Sequence, residues 1–307
     1  MICLLFKITC GGTLTMKSKT LLGTLLLSTA AIIWGGMFVV VKVVVTIIPP
    51  IQLVWLRYLI AAVILGLISW LRHEHWYFTK HDLYLLILIG LIGNTLSIVA
   101  QETGTWLSTA QTGAVVTSST PTFMIIFAWA ILHERLTHLK ILSVMMATVG
   151  VFMIIGIHFQ GKNIFLGILS LLVAAVTWAL MSVLVKKVSP QYSSLQITLF
   201  ATLVALIVLS PVILVQRQTL MSINFANPIV IGCLLYLGCI STAVAFIMWN
   251  QGLQLIEASR SGLFFLLQPI AGTLLGWLCL GETITWGFFI GCLLIISSVW
   301  MTIRFND

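Results

Sequence analysis

Two stretches of the chain, AIIWGGMFVVVK (31–42) and AVTWALMSVLVK (175–186), share the same length and the same order of key residues. Each copy places a tryptophan, Trp34 or Trp178, eight residues before a lysine, Lys42 or Lys186, in an otherwise apolar run. The copies lie 144 positions apart. A spacing kept twice indicates a duplicated unit. Duplicated units of apolar helices are typical of secondary transporters, so the repeat favours transport.

A second pair of similar stretches follows in the same order. PTFMIIFAWAILHERLT (121–137) and PIAGTLLGWLCLGETIT (269–285) place Pro121 and Pro269 at the start and Glu134 and Glu282 near the end. Proline frees a backbone carbonyl and disfavours helical geometry just before it. In lipid such a carbonyl is tolerable where it faces a cavity or a hydroxyl group. The two prolines therefore predict helix breaks beside a binding site.

The composition indicates a protein whose solvent is lipid. Hydrophobic residues make up 60% of the 307 residues and charged residues only 7%, whereas a soluble domain carries about 25% charged residues. The net charge of +8 comes from basic residues in short loops, where they orient helices in a membrane. We therefore expect membrane lipid and no nucleic acid among the partners.

The apolar pattern predicts an all-α polytopic membrane protein with ten transmembrane helices. Each run is close to the roughly 20 residues that cross a bilayer. Five helices per half force the second copy to enter the membrane upside down, as two inverted five-helix repeats. The predicted divisions are an N-terminal tail (1–20, with Met16 as a more natural start), a first repeat (21–157) and a second repeat (158–307). The predicted helices are 21–47, 51–71, 83–104, 110–132, 138–157, 165–186, 193–215, 228–252, 260–280 and 285–303.

Basic residues predict the orientation. With a cytoplasmic N-terminus, eleven of the fifteen lysines and arginines lie at cytoplasmic helix ends and only Lys162 and Arg217 lie in outer loops. This bias follows the positive-inside rule and places both termini in the cytoplasm.

Polar residues inside the spans are candidates for a substrate path, because they are costly in lipid. Trp34 and Trp178 lie about 12 Å from their helix ends, deeper than interfacial tryptophans, so they either line a cavity or pack helices. The amides and hydroxyls either contact substrate or join helices by hydrogen bonds. Arg57 either pairs, snorkels or contacts substrate. The candidate cavity residues are Trp34, Asn94, Ser119, Trp178, Thr242, Asn250 and Gln268, and the candidate gating or structural charges are Lys42, Arg57, Glu102, Glu134, Lys186 and Glu282.

The repeat also suggests two gates. Lys42 and Glu282 close helices on the predicted outer side, and their repeat mates Lys186 and Glu134 close helices on the cytoplasmic side. An outer Lys42–Glu282 pair would then be matched by an inner Lys186–Glu134 pair. The alternative is that the lysines snorkel and the glutamates stay solvated.

No motif points to enzymatic chemistry, a metal or a cofactor. The chain has no phosphate-binding GxxxxGK[ST] loop, no GxSxG and no HExxH. The six cysteines form no CxxC pair, and the His73-Glu74-His75 run is more typical of a solvated loop than of a metal site. We expect no catalytic residue, no metal and no cofactor.

The order and double occurrence of WGGMFVVVK, PTFMIIFAWAILHERLT and LQPIAGTLLGWLCLGETIT resemble the EamA family of the drug/metabolite transporter superfamily. The resemblance covers residues 21 to 303. It implies a plasma-membrane carrier with a central cavity, often an exporter of amino acids or other small metabolites. We therefore expect alternating-access export of a small amphipathic metabolite. Uptake or flipping of a lipid-linked group is the alternative within this fold, and a membrane-embedded enzyme or scaffold is the alternative from another class.

Overall fold

The protein is described by a computed structural model, which covers residues 16–76, 79–155, 163–280 and 286–304. These residues form helices and connecting turns, with no strand among them. The helices of the first half are α1 (Met16–Val44), α2 (Pro50–Leu71), α3 (Lys80–Ile89), α4 (Ile98–Leu107), α5 (Ala110–Thr117), α6 (Thr120–Leu132) and α7 (His138–Ile155). Those of the second half are α8 (Ile164–Val185), α9 (Ser194–Val215), α10 (Arg217–Met221), α11 (Pro228–Leu235), α12 (Ala245–Leu255), α13 (Ala258–Gly262), α14 (Leu267–Leu280) and α15 (Trp286–Arg304).

Six helical segments of the described chain are long and apolar enough to cross a membrane. They are Ser18–Val44, Pro50–Leu71, Lys80–Leu107, Ile164–Val185, Ser194–Val215 and Pro228–Leu255. They correspond to predicted helices 1, 2, 3, 6, 7 and 8.

The other predicted spans are shorter or interrupted helices. Span 110–132 divides into α5 and α6, and span 260–280 divides into α13, a 3-10 turn (Leu263–Leu266) and α14. Both interruptions come just before the helices that contain the matched prolines, Pro121 and Pro269. Each proline lies in the first turn of its helix, where the missing N–H removes no intrahelical hydrogen bond. The two breaks therefore occupy the same place in both halves.

The outer surface of the helices is apolar. Val63 on α2, Ile207 on α9 and Leu293 on α15 are 66%, 71% and 69% exposed. A soluble monomer rarely exposes continuous apolar area of this kind. Together with the long apolar helices, this surface identifies a multi-pass membrane protein.

The equivalent helices α1 and α8 run in opposite directions. The start of α1 contacts the end of α12, because a Cβ on Gly23 would lie 2.7 Å from Ile256, and Lys186 at the end of α8 bonds to that same Ile256. The other end of α1, at Lys42, bonds to Ser108, whose side chain lies against Gly167 near the start of α8. The end of each helix thus lies beside the start of the other.

The two halves interlock through these helices. Helix α1 packs mainly against α12 and α14 of the second half, and α8 packs against α4 and α6 of the first half. Gly35 allows a close approach of α1 to α14: a Cβ there would lie 2.6 Å from the Gln268 carbonyl oxygen and 2.7 Å from Ala271 Cβ. Only glycine lets the backbones of α1 and α14 approach this closely. The Trp-Gly-Gly run of α1 therefore holds the two halves together.

Each half contains a π-helical segment at the equivalent place, Gly90–Ser97 and Tyr236–Val244. Side-chain hydroxyl groups donate hydrogen bonds to backbone carbonyls within these irregular segments. Thr95 donates to the Gly90 carbonyl at 2.9 Å, and Thr242 donates to the Leu237 carbonyl at 2.7 Å. π-Helical turns often occur at functional sites. Here they bring polar side chains to mid-helix, between the two halves.

Candidate functional site

A small aromatic cavity lies where α1, α4, α8, α12 and the α13–α14 break meet. Trp34 and Trp178 contact each other edge to face, with ring centroids 5.3 Å apart. Phe246 contacts both tryptophans, and Phe265 stacks on Trp34 at 5.6 Å. The cavity has about 10 Å³ of free space, roughly room for one water molecule. Its lining consists of Trp34, Met37, Ile98, Gln101, Trp178, Phe246, Phe265 and Gln268.

Two polar atoms in this lining have no hydrogen-bond partner. The indole Nε1 of Trp178 and the amide Oε1 of Gln268 are both buried and unpaired, and their residues are only 6% and 2% exposed. Leaving a buried polar group unpaired costs about 1–3 kcal/mol. The two are complementary, because Trp178 can only donate and the Gln268 oxygen can only accept. The cavity therefore presents one free donor and one free acceptor among aromatic rings.

The Trp34 ring is held in place by a hydrogen bond to the other half of the molecule. Trp34 donates from Nε1 to the Ser241 carbonyl at 2.9 Å, within the π-helical segment. The glycine that follows it, Gly35, seats α1 against the Gln268 backbone. The sequence motif thus fixes both the ring and its distance from Gln268. Trp178, its repeat mate, keeps its indole nitrogen free.

Arg57 and Glu102 form an ion pair that is completely buried, with both side chains 0% exposed. Arg57 donates from Nη1 to Glu102 Oε1, from Nε to Thr242 Oγ1 at 2.9 Å and from Nη2 to Ser241 Oγ at 3.1 Å. The arginine pairs and does not snorkel to the surface. The other carboxylate oxygen of Glu102 has no partner. A buried pair of this kind is held only where hydrogen bonds satisfy the charges.

Three of the remaining candidate polar residues join helices in this structure. Asn94 lies 3.4 Å from the Thr202 hydroxyl, Asn250 donates to the Thr198 hydroxyl at 2.9 Å, and Thr242 accepts from Arg57. All three are buried but lie outside the cavity lining. Ser119 lies at the break between α5 and α6 and donates to the Val116 carbonyl at 2.6 Å. Their assignment to a substrate path stays a prediction.

The repeated lysines bind the carboxyl ends of neighbouring helices. Lys42 donates to the carbonyls of Thr105 and Ser108 at 3.2 and 2.5 Å, at the end of α4. Lys186 donates to the carbonyls of Leu253 and Ile256 at 2.8 and 2.5 Å, at the end of α12. A cation is favoured there because the last helical carbonyls are unpaired and carry partial negative charge. We call these two arrangements the Lys42 contact and the Lys186 contact.

Glu134 binds the connection between α12 and α13, as Lys186 does, but it does not pair directly with Lys186. Its carboxylate accepts from the backbone N–H groups of Ala258 and Ser259 at 2.9 and 3.1 Å and from the Ser259 hydroxyl. The predicted Lys186–Glu134 ion pair is therefore replaced by two helix-end contacts, since each charge binds the backbone end that complements it. Glu282, and with it the predicted pair with Lys42, lies outside the described residues.

Charge still links Lys186 to its surroundings. Burial lowers the pKa of the Lys186 ammonium below its usual range, and the carboxylates of Glu134 and Glu257 oppose this shift. Glu257 itself pairs with Lys140 at 3.1 Å. The two carboxylates thus help to keep Lys186 charged at its helix end. Among the residues described, no group of three or more histidine, cysteine or acidic side chains is arranged to hold a metal ion.

Several cavity residues were not identified from the sequence. Phe246, Phe265 and Ile98 are apolar residues in an apolar chain, so nothing in their type distinguishes a cavity from a core. Met37 offered one usable signal, because it lies three residues after the candidate Trp34 on the same face of the helix. Gln101 offered no such signal, since Ile98, three residues before it, was not a candidate either.

The chain matches the model of the EamA-like transporter family twice, over residues 21–156 and 165–304. It is 26% identical to the uncharacterized transporter YetK of Bacillus subtilis, over 90% of this chain and 85% of that one. It is 25% identical to a probable amino-acid metabolite efflux pump of Salmonella typhimurium, over 89% of this chain and 91% of that one. A protein of known crystal structure shares the fold, with a TM-score of 0.74 at 17% identity over 94% of this chain and 99% of that one. Two matches that together span most of the sequence show that the chain belongs to the EamA-like transporter family.

Proposed function

We propose that the protein exports a small amphipathic metabolite, such as an amino acid or a related compound, across the plasma membrane by alternating access. The observation that carries this proposal is the cavity between the two halves, with its free donor on Trp178 and its free acceptor on Gln268. Binding sites for small molecules are mostly apolar and contain a few polar groups that fix orientation. A cargo with an apolar part and a hydrogen-bonding part would complement these walls.

The size of the cavity supports a cycle with more than one conformation. Free space of about 10 Å³ is far below the roughly 300–1,000 Å³ of a typical ligand pocket. The helices that form its walls must therefore separate before a metabolite enters. In the proposed carrier, ten spans form two inverted repeats, both termini are cytoplasmic, and the halves open alternately to the two sides.

Export is favoured over uptake by one comparison: a relative over most of the chain is named as a probable amino-acid metabolite efflux pump. Uptake and lipid-linked flipping use the same fold and differ in direction or cargo. The alternatives from another class make different demands. A membrane-embedded enzyme would need titratable groups that converge on the cavity. A scaffold would not be stabilised against unfolding by cargo.

The proposal is tested by ligand screening followed by transport. Purified protein in nanodiscs is heated with members of a library of amino acids and related metabolites, and compounds that raise the unfolding midpoint are loaded into proteoliposomes. Efflux that exceeds that of protein-free liposomes supports the proposal. Absence of both stabilisation and transport across the library contradicts it.

Two variants tie the transport to the cavity. Trp178→Phe keeps an aromatic side chain but removes the donor, and Gln268→Leu removes the acceptor. Each should weaken cargo affinity by about tenfold, because a hydrogen bond contributes about 1–1.5 kcal/mol. Trp129→Phe is the matched control, since Trp129 is 55% exposed on the outer surface. Equal behaviour of all three variants would place cargo elsewhere.

A further inference from the structure

Three hydrogen-bond donors converge on one thioether sulfur at the edge of the cavity. The two terminal nitrogens of Arg57, Nη1 and Nη2, lie 3.7 and 3.6 Å from Met37 Sδ. The amide Nε2 of Gln101 lies 3.9 Å from the same sulfur. Both Met37 and Gln101 belong to the cavity lining. The sulfur therefore stands between the cavity and the guanidinium group.

In this arrangement the Arg57 guanidinium, the strongest recognition group near the cavity, faces a weak acceptor. The two terminal nitrogens of an arginine form a planar fork that matches the two oxygens of a carboxylate. A thioether is only a weak acceptor, and here it stands almost equidistant from both prongs. Arg57 has other partners on its remaining sides, namely Glu102, Thr242 and Ser241. The N–H groups of Nη1 and Nη2 that face Met37 are therefore the ones without a strong acceptor.

We infer that Arg57 is the site where the cargo's carboxylate binds, with Gln101 as an additional donor, and that the Met37 sulfur fills this site while cargo is absent. The inference rests on the proposed function and adds the chemical class of its substrate. Methionine suits the placeholder role, because its unbranched side chain has three rotatable bonds and adapts to its surroundings. When the cavity widens, the Met37 side chain turns aside and the cargo carboxylate takes the sulfur's place.

The rest of the cargo is then placed by the same geometry. Its apolar part lies among Trp34, Trp178, Phe246 and Phe265, whose rings surround the cavity. Ser241 and Thr242 keep the guanidinium plane fixed while its fork changes partner. Glu102 stays bound to Nη1, so the arginine is never left without a counter-charge.

The test uses four probes that share a phenyl group and differ in charge. L-Phenylalanine and 3-phenylpropionate carry a carboxylate, whereas L-phenylalaninamide and 2-phenylethylamine do not. Binding to the full-length protein in nanodiscs is measured by isothermal titration calorimetry. We expect both carboxylates to bind and both amines without a carboxylate to bind at least tenfold more weakly, since they lack the charged acceptor that the fork prefers.

Two variants separate the Arg57 site from cargo binding in general. Met37→Leu keeps the volume but removes the sulfur, so the empty site loses acceptor contacts that the filled site does not use. We expect the affinity for 3-phenylpropionate to rise about three- to tenfold. Gln101→Leu removes one donor from the filled site and should lower that affinity about tenfold. Met248→Leu, in the core of α12, is the matched control and should change neither.

The inference is overturned if the amines bind as tightly as the carboxylates, if none of the four probes binds, or if Met37→Leu weakens or leaves unchanged the binding of 3-phenylpropionate. Its failure is distinguishable from failure of the proposed function. A cargo without a carboxylate that is found in the library screen and exported would remove the inference and leave the export function standing.

Discussion

Arg57 and Glu102 show how strongly a single pair of residues can depend on each other in lipid. Both side chains are fully buried, and the charge of each is compensated chiefly by the other. Removing one member leaves an uncompensated buried charge, which costs about 3–5 kcal/mol, whereas replacing both by apolar residues is often nearly neutral. The pair is therefore expected to act as one unit in stability measurements.

Glu102→Leu and Arg57→Met should each lower the free energy of unfolding by about 3–5 kcal/mol, and the double variant should be more stable than either single variant. The physical reason is that the double variant contains no unpaired charge. The midpoint of thermal unfolding in nanodiscs, followed by intrinsic fluorescence, measures the effect. Additive losses in the double variant would show that the pair does not stabilise the protein as a unit.

The sequence identified both members of this pair but not their partnership. Position along a helix gives depth in the membrane. Depth marked Arg57 as unusual, whereas Glu102 was singled out as a charge near the outer end of its span. Pairing also depends on which way each helix is turned about its axis and which helices are neighbours. An apolar chain has no polar face to reveal that rotation, because all its sides contact lipid or protein of similar polarity. Trp34, Trp178 and Gln268 were accessible from the sequence because the repeat and the prolines single them out.

At the scale of elements, the approach of α1 to α14 depends on one missing side chain. Gly35→Ala would place a Cβ 2.6 Å from the Gln268 carbonyl oxygen, so the two helices must move apart. Overpacking of this kind typically costs about 1–3 kcal/mol. We expect a lower unfolding midpoint and weaker cargo binding, because Gln268 belongs to the cavity lining.

Gly66→Ala is the control for this substitution. Nothing lies within 4 Å of the Cβ that it would add on α2. Alanine has a higher helix propensity than glycine by about 1 kcal/mol, so this variant should be as stable as the parent protein or slightly more stable. A loss of midpoint in Gly66→Ala equal to that in Gly35→Ala would show that close helix approach is not the cause.

The Lys42 and Lys186 contacts are the elements best placed to bias the conformational cycle. Both contacts are formed in this structure, one at the end of α4 and one at the end of α12. Lys42→Ala should favour the outward-open state and Lys186→Ala the inward-open state. Hydrogen bonds to a charged group contribute about 1.5–3 kcal/mol, enough to shift a two-state equilibrium by tenfold or more.

Reactivity of a cysteine placed in each vestibule reports the bias, and Lys187→Ala serves as the control because Lys187 is exposed beside Lys186. The variants should shift the two reactivities in opposite directions. Identical shifts in Lys42→Ala and Lys186→Ala would rule out separate gates.

Helix breaks and π-helical segments differ in how readily the sequence reveals them. The breaks beside Pro121 and Pro269 follow from the missing N–H of proline, which suits the first turn of a helix, and were predicted at these positions. The π-helical segments were not predicted. An added residue turns the following side chains about the helix axis, but helices that are apolar on all sides have no polar face to reveal that shift. Gly90, Gly93 and Gly238 are the remaining sign: a Cβ at each would lie less than 3 Å from a neighbouring side chain.

At the scale of the whole molecule, the positive-inside bias gives a prediction of orientation that can be tested in intact cells. In a cysteine-free background, Gly161→Cys should react with an impermeant maleimide, because residue 161 belongs to a predicted outer loop. His75→Cys, in a loop predicted to be cytoplasmic, should react only after the membrane is opened. His75 is exposed in the structure, so lack of access cannot explain a lack of labelling there. Labelling of His75→Cys in intact cells would reverse the orientation.

The interlocking of the halves has a consequence for biosynthesis. Helix α1 leaves the ribosome first, yet its main partners, α12 and α14, end at Leu255 and Leu280. Translation of the roughly 240 residues between the end of α1 and the end of α14 takes about 10–50 s at about 5–20 residues per second. During that time Gly35 and Trp34 face lipid or the insertion machinery instead of the second half. A chain that stalls before α14 would leave α1 in the bilayer without its partners, a form that membrane quality-control proteases can recognise.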